Sequence, residues 1–215
     1  MTPRRAGALA AVGVLLFWVG VFGAGALVDG YSAREDFISS LASRGSSVAV
    51  LGIATFLASA GAHAATSWAV FRAWRSWLLA GLLMLAALAT LSVAAFRSSC
   101  PDGPAGCSLD QSSSADWVEG VHGISVAFYE LFVLLAMLTL AIGALRKSSR
   151  WPRWLGVASL VFAVGSLMLI AQTDGDHFGF WQRLWLANNL AWLLLVAWAA
   201  RGPGSGTSGH LASGP

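Results

Sequence analysis

Long apolar runs alternate with short polar stretches along the whole chain. The runs cover residues 6–28, 47–71, 77–96, 122–145, 154–172 and 180–200. Each is close to the roughly 20 residues that a helix needs to cross a hydrocarbon core, where backbone polar groups must be satisfied within the segment. None alternates residue by residue over the roughly ten positions of a transmembrane strand. The pattern predicts an all-α fold: a polytopic integral membrane helical bundle of six transmembrane helices within residues 1–201. Residues 202–215 are rich in Gly, Ser and Pro and read as a disordered cytoplasmic tail.

The basic residues orient the bundle. With both termini cytoplasmic, that side receives Arg4, Arg5, Arg72, Arg75, Arg146, Lys147, Arg150, Arg153 and Arg201, nine of the 13 Lys and Arg. Arg34, Arg44, Arg97 and Arg183 fall outside. Every acid except Glu130 also falls in the external segments, so no acid faces the cytoplasm. A competing pattern sits at the start. Arg4 and Arg5 before an apolar run, with Ala24-Gly25-Ala26 after it, resemble a signal peptide, but the run exceeds the 7–15 residues typical of an h-region. Cleavage there would leave five spans in the same orientation.

Composition supports a membrane site and narrows the function. The 215 residues are 57% hydrophobic and 11% charged, against roughly 25% charged in a soluble domain. A soluble fold of this length could not hide so much apolar surface. A formal charge of +3 is too small for a nucleic-acid binder, so the expected surroundings are the lipid bilayer of the cell membrane. The expected external segments, residues 29–46, 97–121 and 173–179, are mostly longer than the basic turns on the other side. Long polar connections on a packed scaffold are where binding and chemistry collect.

Candidate residues follow from that arrangement. Cys100 and Cys107 flank Pro101-Asp-Gly-Pro-Ala-Gly106 on the expected oxidising side, and a disulfide there would close a short ring; free thiols are the other reading. Two cysteines do not make a zinc site, and no close-spaced His pair exists, so neither a metal nor a cofactor is expected. In the first connection, Tyr31-Ser-Ala-Arg-Glu-Asp36 reads either as a re-entrant lid carrying Asp36 or as an interfacial helix capped by Ser32 with Glu35 three residues on. His122 opens the fourth span and Glu130 lies about 12 Å deeper, at 1.5 Å per residue, with the two side chains about 80° apart. That is too far for a direct acid–base dyad. An ionisable Glu130 near mid-membrane is costly and is a functional candidate by default; the ordinary reading is a protonated acid bonded to a neighbouring helix. Gln182, Trp185, Asn189 and Trp192 share one face of the sixth span, where Asn189 is positioned to meet Glu130 or a ligand. Arg183 at the outer mouth could pair with Asp174, Asp176 or an anionic group. Thr55, Ser59, His63 and Ser67 form a stripe expected to face other helices.

These elements together resemble a prokaryotic six-helix membrane family known only as domain of unknown function 998. The likeness rests on the Tyr31-Ser32 acid-rich segment, the loop with Pro101-Asp102, His122 opening helix four and Gly179-Phe-Trp-Gln-Arg183 before helix six. The resemblance implies a site at Asp36, Asp102, His122 and Arg183 but no activity. Enclosure of Pro101-Asp102 between the two cysteines departs from the family pattern.

Two functional classes follow. The first is a membrane protein with an externally opening pocket for a lipid or isoprenoid ligand, including a modifying enzyme. There Asp36 and His122 would supply acid–base chemistry and Arg183 would hold an anionic headgroup. Its prenyl-cyclising version has Glu130 protonate the chain while Trp185 and Trp192 stabilise carbocations. The second is a non-catalytic accessory, sensor or transport-associated subunit whose polar groups hold helices together. Convergence of Asp36, His122 and Arg183 around a cavity favours the first; their consumption in internal pairs favours the second.

Overall fold

A computed structural model describes residues 1–98, 117–146 and 151–202. Six helices account for nearly all of them: α1 (Pro3–Ala26), α2 (Ala49–Trp74), α3 (Trp77–Ala95), α4 (Trp117–Leu145), α5 (Arg153–Ile170) and α6 (Phe178–Ala199). A short 3-10 helix, Ile38–Ala42, lies in the first connection. Asp102, the Cys100–Cys107 pair and residues 203–215 of the tail lie outside the described residues.

Local chemistry sets several helix ends. Thr2 caps α1 by accepting from the Arg5 amide at 3.3 Å, and Pro3 occupies a first-turn position where no amide hydrogen is needed. Arg75 closes α2 in the left-handed region, and Ser76 then caps α3 through the Leu79 amide. Two residues therefore suffice to reverse the chain. His177, also left-handed at φ 62°, introduces α6. The fourth helix starts at Trp117, so residues 117–121 continue the helix rather than belonging to the preceding connection.

Successive helices pack side by side, and α6 returns against α1 and α2 to close the ring. Small residues permit close approach at these seams. A β-carbon on Gly13 would lie 2.7 Å from the Ala58 carbonyl oxygen, so α1 meets α2 nearly backbone to backbone.

The distribution of polarity is that of a membrane bundle. Leu9, Val12, Leu15, Leu16, Val19 and Phe22 of α1 are exposed, while Thr55, Ser59, His63, Thr66, Thr90, Ser159, Ser166 and Asn189 are buried. Apolar side chains outside and hydroxyl groups inside invert the soluble arrangement and suit lipid as the surrounding solvent. Helices α1 to α5 are each long and apolar enough to cross a membrane. Helix α6 has 22 residues but carries Gln182, Arg183, Asn188 and Asn189. Arg183 and Asn189 are buried, so much of its polarity is spent inside the protein.

Three side chains of the stripe on α2 bond within the helix or to α3, and Ser59 lines a cavity. Thr55 Oγ1 donates to the Gly52 carbonyl at 2.6 Å, His63 Nδ1 bonds the Ser59 carbonyl at 2.9 Å, and Ser67 Oγ donates to Ala80 of α3 at 2.7 Å. Only the last of these joins two helices.

Candidate functional site

The deepest polar cluster is built on Glu130, near the middle of α4 and 6% exposed. Three helices meet at its carboxyl group. Ser166 of α5 lies 2.7 Å from Oε1; Trp185 Nε1 and Asn189 Nδ2 of α6 lie 2.9 and 3.0 Å from Oε2. Ser166 Oγ is also 2.8 Å from Asn189 Oδ1 and 3.1 Å from Trp185 Nε1. Asn188 supports the cluster by donating to the Phe162 carbonyl at 2.9 Å and, at 3.3 Å, to Asn189 Oδ1. The α6 spacing explains this convergence: Trp185 and Asn189 are four residues apart and therefore stack on one face. Among the described residues, no Arg, Lys or His is a hydrogen-bond partner of Glu130.

A small cavity lies beside this cluster. About 40 Å³ in volume, it is lined by residues of α1, α2, α3, α4, α6 and the 3-10 helix, including Ile38, Ser59, Thr90, Val126, Tyr129 and Trp185. Trp185 thus touches both Glu130 and the cavity. Tyr129 packs edge-on against Trp185 at 5.8 Å and against His63 at 5.5 Å. Its hydroxyl is fully buried and lies against Asn189.

The second cluster docks the first connection onto α6. Residues 32–36 form a hydrogen-bonded turn, not a helix. The Ser32 hydroxyl accepts from the Glu35 amide at 3.3 Å, and the Asp36 carboxylate, not Glu35, accepts from the Ser32 amide at 2.7 Å. The chain then re-enters the bundle, with Ile38 and Leu41 fully buried. Gln182 Oε1 accepts from the Ile38 amide at 2.7 Å, and the Phe180 amide donates to Arg34 at 2.9 Å. Arg183, 8% exposed, donates from one terminal nitrogen to the Asp36 and Gly179 carbonyls, each at 2.8 Å, and from the other to the Tyr31 hydroxyl. It also lies over the Tyr31 ring. Outside it, His177 bridges Glu35 at 2.7 Å and Arg34.

Gly179 makes this docking possible. A β-carbon there would land 2.8 Å from the Asp36 nitrogen and 2.9 Å from its carbonyl carbon, and backbone cannot yield as a flexible side chain can. Gly179→Ala is expected to cost about 1–3 kcal/mol, the range for overpacking. A denaturant titration of the reconstituted protein measures this, and a cost near zero would mean the first connection is not seated on α6 as described.

His122 serves a third, separate contact. Its Nδ1 bonds the Phe96 carbonyl at 2.8 Å, closing the end of α3 against the start of α4. One turn on, Ser125 bonds Ser92 across the same helix pair at 2.7 Å.

The expected site residues therefore divide. Glu130, Asn189 and Trp185 come together as a single network. Asp36 and Arg183 also meet, but through the Asp36 backbone carbonyl, and Arg183 pairs with Tyr31 rather than with Asp174 or Asp176. His122 bonds the Phe96 carbonyl instead of joining Asp36. Trp192 is buried and donates to Ser159 at 3.0 Å, away from the cavity wall. Sequence reasoning did not single out Ser166 or Tyr129, and it named Tyr31 only as the start of the first-connection motif. Ser159 and Ser166 are seven residues apart on α5, a spacing that keeps one helix face and could have marked that face as inward.

Residues 11–199 match the family model described as "Protein of unknown function (DUF998)". No curated protein and no solved structure matches the chain.

Proposed function

Because the chain belongs to the DUF998 family, whose function is unknown, we propose from its geometry that it is a non-catalytic, multi-pass protein of the cell membrane that binds an apolar ligand of the lipid or isoprenoid class. The ligand would enter from the end carrying the first connection, which the arginine distribution assigns to the outside. The observation that carries this reading is a largely apolar cavity enclosed by five helices and the 3-10 helix, with Ser39, Ser59, Thr90 and Gln182 as the polar residues of its wall. An apolar cavity with a few polar groups suits a chain ending in a single hydrogen-bonding atom. A volume of about 40 Å³ has room for about three water-sized groups, so only the tip of the ligand is taken inside.

Catalysis is the less favoured version. Asp36, His122 and Arg183 are engaged in internal contacts. Glu130 is absent from the cavity lining, and both of its oxygens are held by Ser166, Trp185 and Asn189. A proton donor to a prenyl chain would need to face that chain.

Mass spectrometry of small molecules co-purifying with the protein in lipid nanodiscs tests the proposal. The wild type should retain a discrete apolar species that Val126→Phe, which fills the cavity, weakens about tenfold or more, ~1.4 kcal/mol. Val157→Phe, on the exposed face of α5, should retain it. Equal, bulk-membrane lipid content in wild type and Val126→Phe would overturn the binding reading. A membrane lipid converted only when the wild type is present would return the enzymatic version.

A further inference from the structure

The polar contacts around Glu130 require a definite number of hydrogens. Glu130, Ser166 and Asn189 form a closed ring of three contacts: Glu130 Oε1 to Ser166 Oγ at 2.7 Å, Ser166 Oγ to Asn189 at 2.8 Å, and Asn189 to Glu130 Oε2 at 3.0 Å. Each contact at such a distance needs a hydrogen between its heavy atoms; otherwise two lone pairs face each other in a medium of low polarity. Ser166 has one hydroxyl hydrogen. The amide of Asn189 turns its NH₂ toward one ring neighbour and its carbonyl oxygen toward the other, so it supplies one ring contact. Two hydrogens cannot satisfy three contacts.

Reversing the amide does not change the count. With Nδ2 toward Glu130, serine donates to the Asn189 carbonyl and the Glu130–Ser166 contact lacks a hydrogen. With the amide turned round, Asn189 donates to serine, serine donates to Glu130, and the Asn189–Glu130 contact lacks one. That second arrangement would also set Asn188 Nδ2 against an NH₂ group at 3.3 Å, which favours the first. Trp185 does not help, because its hydrogen enters the cluster from outside the ring.

We infer that Glu130 is a carboxylic acid in the folded protein, and that its proton is a bound constituent closing a three-helix ring between α4, α5 and α6. The acid donates from Oε1 to Ser166, serine donates to Asn189 Oδ1, and Asn189 and Trp185 donate to Oε2. Every polar group then has a partner. A carboxylate would instead break one side of the ring and stand in the hydrocarbon layer with no cation bonded to it among the described residues. The ionisable groups around it do not alter this. Tyr129 neighbours it on α4, and His63 of α2 faces the Tyr129 ring; α3 carries no ionisable residue, and Arg153 stands at the far end of α5. Arg183 of α6 is committed to Tyr31 and two carbonyls. Because Trp185 both donates to Glu130 and lines the cavity, the bound proton and the cavity share a wall. The inference stands whether or not a ligand fills that cavity.

Infrared spectroscopy with isotopically labelled glutamate tests it directly. The chain has only three glutamates, Glu35, Glu119 and Glu130. A Glu35→Gln/Glu119→Gln background therefore leaves Glu130 as the single labelled carboxyl. The reconstituted protein at neutral pH should show a carboxylic-acid C=O stretch that shifts in D₂O, and Ser166→Ala should move that band by removing its hydrogen-bond acceptor. A carboxylate doublet in its place would overturn the inference. Thermal unfolding gives an independent reading without labels. Glu130→Gln reproduces the acid's donor and acceptors and should melt close to wild type, whereas Glu130→Leu should melt well below it. Equal losses in both variants, together with a carboxylate spectrum, would mean that the ring is held by a charge.

Discussion

Replacing Glu130 with alanine is expected to destabilise the bundle by about 3 kcal/mol or more, with Glu130→Gln costing under about 1 kcal/mol. The alanine variant removes the group at which three buried partners meet: the Asn189 NH₂ loses its acceptor, while Ser166 and Trp185 each lose one of their contacts and keep only those to Asn189 and Ser166. A buried polar group that loses its partner typically costs about 1–3 kcal/mol. Within a bilayer the effect per hydrogen bond is smaller, averaging roughly 0.6 kcal/mol, because a partly unfolded membrane chain also finds partners. The estimate therefore sits at the low end of the sum, plus a contribution from the cavity left by the deleted side chain. Glutamine keeps an acceptor oxygen for Trp185 and Asn189 and puts an NH₂ where Ser166 can accept it. Unfolding of the reconstituted protein in a denaturing detergent series measures both variants. An alanine variant within about 1 kcal/mol of wild type would show that the network is not a principal tie between α4, α5 and α6.

The second large effect is expected at Arg183. Arg183→Ala should cost about 3 kcal/mol and release the first connection from α6, because it removes one side chain that serves the Asp36 carbonyl, the Gly179 carbonyl and the Tyr31 hydroxyl. Hydrogen bonds to a charged group are worth roughly 1.5–3 kcal/mol each, although Gln182 continues to hold the Ile38 amide. Arg183→Lys should not restore the docking, since one ammonium cannot reproduce the planar fork that reaches all three acceptors. Hydrogen exchange of amides 31–42 is the sensitive measurement, because the loss is local. Unchanged exchange in Arg183→Ala would assign the docking to Gln182 and the Phe37–Phe178 contact. Accelerated exchange in alanine with full protection in lysine would mean that charge matters and the fork does not.

These two sites differ in how far they were legible in the residues. Glu130 stood out because an ionisable side chain midway along an apolar run is rare and costly. Asn189 stood out because the face of α6 was visible in its spacing. Their meeting could be anticipated as a possibility. Ser166 could not be singled out in the same way, since serine is tolerated almost anywhere in a membrane helix and only a fixed helix rotation decides which serine meets a carboxyl group. The partners of Arg183 were not legible for a related reason. At a helix start beside Asp174 and Asp176 it has the features of a surface cation, yet the re-entering first connection covers it. Its partners are backbone carbonyls, and every residue has one, so no side-chain pattern announces them.

The first connection shows the same divide at finer scale. Ser32 with Glu35 at the capping interval suggested a helix, and the Ser32–Glu35 half of that box does form. Asp36 takes the returning bond instead, and the segment stops at a turn because Ile38 and Leu41 gain more by entering the bundle than by extending a helix at its surface. His122 was legible as a polar residue at a helix start. Its commitment to the Phe96 carbonyl depends on where α3 ends, which the apolar run does not specify to the residue.

What the sequence determined by itself was the class and the framework. Hydrocarbon excludes unsatisfied backbone, so long apolar runs leave few choices beyond spanning helices, and successive spans must run antiparallel. Only the tertiary structure decided which polar groups meet. Hydropathy depends on composition along one segment, whereas a hydrogen bond depends on the rotation and depth of two or three helices to within a fraction of an ångström. Those are set by small-residue seams such as Gly13 against α2 and Gly179 against Asp36. Where α5 meets its neighbours, Gly156 lies against Ala141 and Gly165 against Asn188, and the same three helices close Glu130 inside a ring of hydrogen bonds.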